Sequence, residues 1–208
     1  SNGAVISALA AGDELPFPFG LWVSYQTSRF ADTFAATASD SDSDTVFIGA
    51  DFSPWDGALA GVAFGYERTE TETQANGGEQ DLDGYSVIPY FGVVVEDTGF
   101  DVDLSTDLAI GFSTLGLDQF RTEQNTGARI NSDTDAFRTF VSWNVSAARA
   151  YGNWYVGARG GFLVAKDTQS AFTESDGTQV AQSSATLGRV TIGINASYLW
   201  ESLEPFGH

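Results

Sequence analysis

The sequence predicts an all-β protein, an antiparallel up-and-down transmembrane β-barrel with eight strands in this chain. Three observations predict it. Apolar residues recur at every second position in segments spaced roughly 20 to 25 residues apart. The links between those segments alternate between short and long. Aromatic residues collect near the segment ends rather than their middles. Composition agrees: of 208 residues, 13% are aromatic, 18% are charged and 23 are Gly, a profile of strands and turns. No run approaches the ~18 consecutive apolar residues of a membrane-crossing helix, but a barrel strand needs only ~10 with alternate positions apolar.

The elements follow in order. Residues 1–16 read as an N-terminal segment in which residues 4–11 (AVISALAA) form a short helix stopped by Gly12, and residues 17–208 read as the barrel domain. The first strand lies at residues 20–30. The second sets Val46, Ile48, Ala50 and Phe52 against Phe47, Gly49 and Asp51. The third sets Ala60, Val62, Phe64 and Tyr66 against Gly61, Ala63, Gly65 and Glu67. The fourth, residues 85–95, is apolar on both faces and contains Pro89. The fifth is the cleanest: Phe100, Val102, Leu104, Thr106, Leu108, Ile110 and Phe112 on one face, Asp101, Asp103, Ser105, Asp107, Ala109 and Gly111 on the other. Three Asp at alternate positions of so apolar a strand do not belong in a dry core. The sixth runs over residues 137–146, the seventh over 154–162 and the eighth over 189–200, after which Pro205-Phe206 reads as the start of a ninth.

Short links fall at residues 53–57, 96–99, 151–153 and 201–205, and long ones at 31–44, 68–83, 114–135 and 166–185. Outer-membrane barrels carry short periplasmic turns and long extracellular loops, whereas a sandwich has no reason to sort them. Phe17, Phe19, Trp55, Phe91, Phe100, Tyr151, Trp154 and Trp200 mark one aromatic girdle; Phe30, Tyr66, Phe112 and Phe137 mark the other. Apolar faces then meet lipid and the Asp, Gly, Ser and Arg faces line a wet lumen.

Several function classes are excluded. The net charge of -19 with nine basic residues leaves no nucleic-acid partner. There is no Cys, hence no disulfide or thiolate site, and the lone His is the terminal His208, so triads and His-ligated zinc have no imidazole in a formed site. Asp101 and Asp103, adjacent on one strand face, make a poor carbohydrate cleft. No enzymatic activity and no cofactor are expected. The chain carries no Met and reads as a processed protein or an excised domain.

Two constellations remain. Asp40, Asp42 and Asp44 space three carboxylates like the start of a calcium loop, but Thr45 stands where Gly is needed. They read as a solvated acidic loop or as a weak divalent-cation site bridging lipopolysaccharide phosphates. In the lumen, Asp51, Glu67, Asp101, Asp103 and Asp107 oppose Arg138, Arg159 and Arg189. Such walls either bias solute passage or pair internally to rigidify the barrel, and Asp107 with Arg159 is the pair expected at one depth.

Eight strands close alone or form part of a larger barrel. Small inward residues (Gly61, Ala63, Gly65, Ala109, Gly111, Gly157, Gly161, Gly193) leave room for the helix inside the lumen. The helix-then-strand entry into Phe19-Gly20-Leu21-Trp22-Val23, the strand Thr45-Val46-Phe47-Ile48-Gly49-Ala50-Asp51, Gly61-Val62-Ala63-Phe64-Gly65-Tyr66, Asp83-Gly84-Tyr85 and Leu203-Glu204-Pro205-Phe206 resemble the β-barrel translocator domain of autotransporters, the type V secretion system. The resemblance implies a twelve-stranded barrel with a pore helix in the outer membrane of a Gram-negative bacterium, lacking about four strands here. It implies export of a covalently linked upstream passenger, a barrel-assembly machinery as partner, and contact with outer-membrane lipid and lipopolysaccharide. Asn2-Gly3 is no Asn pair, so no self-cleavage site is carried over. The alternative is a self-closed eight-stranded anchor or adhesin acting through acidic extracellular loops.

Overall fold

The fold is that of a computed structural model describing residues 5–7, 19–32, 38–73, 77–95, 102–123 and 125–198. Strand β1 (Val5–Ser7) is followed by β2 (Phe19–Asp32), β3 (Ser39–Phe52), β4 (Ala58–Thr73) and β5 (Gly78–Val95). Then come β6 (Asp103–Thr122), β7 (Arg129–Tyr151) and β8 (Trp154–Gln169), the two-residue strands β9 (Phe172–Thr173) and β10 (Gln179–Val180), and β11 (Ser183–Tyr198). One antiparallel sheet runs β1-β2-β3-β4-β5-β6-β7-β8-β11, each long strand pairing with its neighbour in sequence, and β9 and β10 form a separate hairpin. The eight long strands are the eight the sequence predicts.

Two features of these elements differ from expectation. Val5–Ser7, the described part of the stretch expected to be helical, is extended and pairs with Ser24, Tyr25 and Gln26 of β2. The rest of that stretch, with Phe17, Phe100, Asp101, Trp200 and the ninth-strand start, lies outside the described residues. Second, the long links are mostly strand. β3 starts at Ser39, β4 runs to Thr73, β6 to Thr122 and β7 starts at Arg129. Polarity hides them, yet the period of two persists: Thr69, Thr71 and Thr73 alternate with charged residues, and hydroxyls pair across strands (Ser41–Thr71 and Thr69–Ser43, both 2.9 Å). The hairpins therefore project as ordered sheet beyond the apolar belt. Of the two arrangements the sequence left open, the described residues show the unclosed one: β11 pairs with β8 and not with β2.

Alternation decides the two faces. On one, Val190, Ile192 and Ile194 of β11 are 76, 84 and 88% exposed, and Leu21, Val23, Ile48, Phe64 and Phe112 continue the same apolar surface. Water disfavours so large an apolar area, and hydrocarbon does not. Aromatic pairs rim its short-turn end: Phe19–Phe52 at 6.1 Å, Trp55–Phe91 at 5.8 Å and Trp154–Tyr198 at 5.0 Å. Tyr66–Tyr85 at 5.3 Å stands at the opposite end, with Phe112 and Phe137. Phe30 does not join this girdle. By register it faces the other way and lines an inner cavity, so parity rather than position along the chain decides its side. The turn between β7 and β8 is two residues, Gly152-Asn153, with Gly152 at φ 58°, the left-handed conformation that tight hairpins require.

Candidate functional site

The candidate site is the polar inner face. Contacts across it bridge whole strands. Trp22 on β2 lies across Gly49 of β3, and Tyr90 on β5 lies across Gly61 of β4, so that Trp22 Nε1 donates to the Tyr90 hydroxyl at 2.8 Å. Tyr90 in turn donates to Asp51 Oδ2 at 3.0 Å. Phe47 covers Gly65, and Phe140 covers Gly111. A Cβ at Gly49, Gly61, Gly65 or Gly111 would collide with the ring lying over it. The small residues expected to leave room for a helix thus seat side chains from neighbouring strands: Asn195 lies over Gly157, Asn144 over Gly161 and Arg159 over Gly193.

The best-defined ionic group is on the same face. Arg138 of β7 makes a bidentate pair with Asp167 of β8, Nε to Oδ1 at 2.9 Å and Nη2 to Oδ2 at 3.0 Å. Its Nη1 reaches Glu67 of β4 at 3.0 Å, spanning β5 and β6. Glu67 lies over Gly84, whose missing side chain leaves it room. One guanidinium therefore holds two carboxylates and ties strands β4 to β8 on their inner side, beside a hydroxyl-lined cavity that includes Ser28, Ser41, Ser43, Thr69 and Thr71.

The sequence-predicted residues distribute as follows. Asp51, Glu67, Asp103, Asp107, Arg138, Arg159 and Arg189 all take inner-face positions in the register. Glu67 and Arg138 meet. Asp107 and Arg159 do not: Asn144 donates to Asp107 Oδ2 at 2.7 Å, while Arg159, one inner position nearer the short turns, leans toward Gly193. Asp101 lies outside the described residues. Asp40, Asp42 and Asp44 take alternate positions on the outer face of β3, above the apolar belt. Alternate strand positions are about 6.6 Å apart, which splays rather than converges carboxylates. Arg29 holds Asp42 through Nε at 2.5 Å and keeps its carboxyl below the usual range, and Tyr25 donates to Asp44 at 2.6 Å. Among the described residues, no three His, Cys, Asp or Glu side chains are grouped to hold a metal ion.

On β5–β7 the same outer surface carries a row, Asp81, Asp118 and Asp133, directly opposite one another. A hydrogen bond from Asp118 to Asp133 and their mutual repulsion raise the Asp118 carboxyl above its usual range. Sequence reading missed Asp167, Trp22, Tyr90, Asn144 and the pair Arg121–Glu174. Extending the parity of Leu163 and Ala165 by one step would have placed Asp167 inward. The others needed the register.

An apolar belt rimmed by aromatics, a polar inner face and strand-by-strand antiparallel order define the wall of a membrane-spanning β-barrel. The autotransporter β-domain family model matches residues 21–208, and the chain belongs to that family of outer-membrane translocator barrels. Among solved structures, the sheet is similar to the unliganded ferric citrate transporter FecA: TM-score 0.50 at 11% identity, covering 88% of this chain and 31% of that one. That likeness concerns the fold alone. No curated protein matches.

Proposed function

We propose that this chain is part of an outer-membrane translocator that anchors and exports a polypeptide covalently linked upstream of Ser1, the passenger. The observation that carries the proposal is the inner wall. Between the rings seated over its glycines it carries hydroxyls and charges held by neighbouring strands, Asp51 by Tyr90, Glu67 and Asp167 by Arg138, and Asp107 by Asn144, so a passing chain meets exchangeable hydrogen-bond partners. The open sheet supports the same reading, because unpaired strand edges are not tolerated in hydrocarbon. Further strands of a larger barrel would complete the wall, and the barrel-assembly machinery would place it in the membrane. Lys166, on the outer face at the top of the belt, suits contact with lipopolysaccharide phosphates, whereas Arg29 and Arg68 there are already held by Asp42 and Glu70. No catalytic role is proposed.

The test is protease treatment of intact cells expressing the complete gene product. Upstream polypeptide should be shaved from the surface while the β-domain resists. An upstream segment confined to the periplasm, or a parent protein whose intact mass equals the 22.1 kDa of this chain, would overturn the reading.

A further inference from the structure

Above the belt, β7 is longer than its neighbour. β8 pairs with β7 from Ala136 onward, so residues 129–135 of β7 have no β8 partner. That edge is taken instead by residues 170–182, the excursion between β8 and β11. Ser170 N donates to Asp135 O at 2.8 Å, Ser175 N to Asn131 O at 2.9 Å, and Asn131 N to Ser175 Oγ at 3.0 Å. The excursion is itself ordered by the β9–β10 pairing and by a turn at Gly177, φ 89°.

It also leans inward. Arg121 occupies an inner-face position of β6, in alternation with Ser113 and Leu115, and makes a bidentate pair with Glu174: Nη2 to Oε2 at 2.7 Å and Nε to Oε1 at 3.2 Å. To reach it, Glu174 must pass over the inner face of β7. There Ile130, Ser132 and Thr134 are 5, 7 and 9% exposed, and Thr134 Oγ1 donates to Ser170 O at 3.3 Å. Glu174 is sheltered, with a side chain 10% exposed, and Arg121 is half-open at 42%.

We infer that residues 170–182 are a strap across the extracellular mouth, latched by Arg121–Glu174, and that unlatching it widens the exit of the lumen. A mere edge cover needs only the backbone bonds to Asn131 and Asp135. The ion pair does something else: it fixes the strap over the inner wall, and its half-open cation is accessible to competition by a passing carboxylate. The inference rests on the reading of the inner face as a lumen.

The test uses the full-length protein in planar bilayers and in cells. Glu174→Gln and Arg121→Gln should each expose the strap to proteinase K and raise single-channel conductance, and the double variant should add nothing to either. The chain has no Cys, so Asn131→Cys with Ser175→Cys allows a clean lock. Oxidised, it should hold conductance at the wild-type level even with Glu174→Gln present, and reductant should release it. Retained resistance to heat and detergent on gels certifies folding, with Glu174→Asp as the milder variant. Conductance unchanged while proteinase K cuts the strap would overturn the gate, and a strap still protected in Glu174→Gln would overturn the latch. Absence of surface passenger in the wild type, with conductance still rising in Glu174→Gln, would sink the translocator reading and leave the strap standing.

Discussion

Arg138 shows what one side chain contributes to this wall. Its guanidinium offers a planar fork to Asp167 and a remaining donor to Glu67, and no lysine reproduces that geometry. Replacing Arg138 by Met would leave two carboxylates facing each other in a partly sheltered position, a loss of about 1–2 kcal/mol, between the exposed and the buried limits because Asp167 is 40% exposed. Urea unfolding of the folded protein in detergent should show that loss. Arg138→Lys should recover only part of it, whereas adding Glu67→Gln and Asp167→Asn to Arg138→Met should recover most. A wild-type midpoint for Arg138→Met would mean that solvent, not the cation, holds the carboxylates. The sequence made Arg138 and Glu67 legible as inward charges because each sits in a clean alternation. It did not reveal their contact, which depends on Gly84 and Ser113 lying between them across two strands. Asp107 and Arg159 failed to pair for the complementary reason: Asn144, a near neighbour, reaches Asp107 first.

At the scale of the strand, periodicity announced all eight long elements but stopped them too early. The apolar signal ends where the membrane ends, whereas hydrogen bonding continues through Thr, Ser and paired charges such as Arg29–Asp42. Strand ends were therefore the least readable feature, and inner-face packing came next. Gly111 illustrates the second. The sequence presents it as room for a helix in the lumen, but Phe140 from β7 lies over it, and a Cβ would overlap the ring. Gly111→Leu should expel Phe140 from that seat and cost about 1–3 kcal/mol, the range for overpacked sites. The loss should appear as a lowered temperature at which the folded form converts to the unfolded form on gels. Gly152→Val, at a left-handed turn with open space around it, should by contrast disturb only the β7–β8 hairpin. Should Gly111→Leu fold like wild type, Phe140 has an alternative seat and glycine is not needed there.

For the whole molecule the decisive feature is the free edge of β11. Its side toward β8 is paired from Ser183 to Tyr198, and among the described residues its other side pairs with nothing. Along that edge Val190, Ile192 and Ile194 present apolar side chains outward, so this strand is dressed for lipid while half of its backbone groups are unpaired. Hydrocarbon offers those groups no water to bond, and each would carry a penalty of several kcal/mol. Closure onto β2 is the one remedy available within the described residues, and β1 already occupies part of that edge. Amide hydrogen exchange separates the two ways of satisfying β11. If further strands complete the barrel, the β11 amides pointing away from β8 should exchange fast in the 208-residue chain in detergent and slowly in the complete protein, with β4–β7 protected in both. If those amides are already slow in the short chain, β11 has found β2 by itself, and the wall closes at eight strands around a lumen too crowded by Trp22, Tyr90, Phe47 and Phe140 to pass a polypeptide.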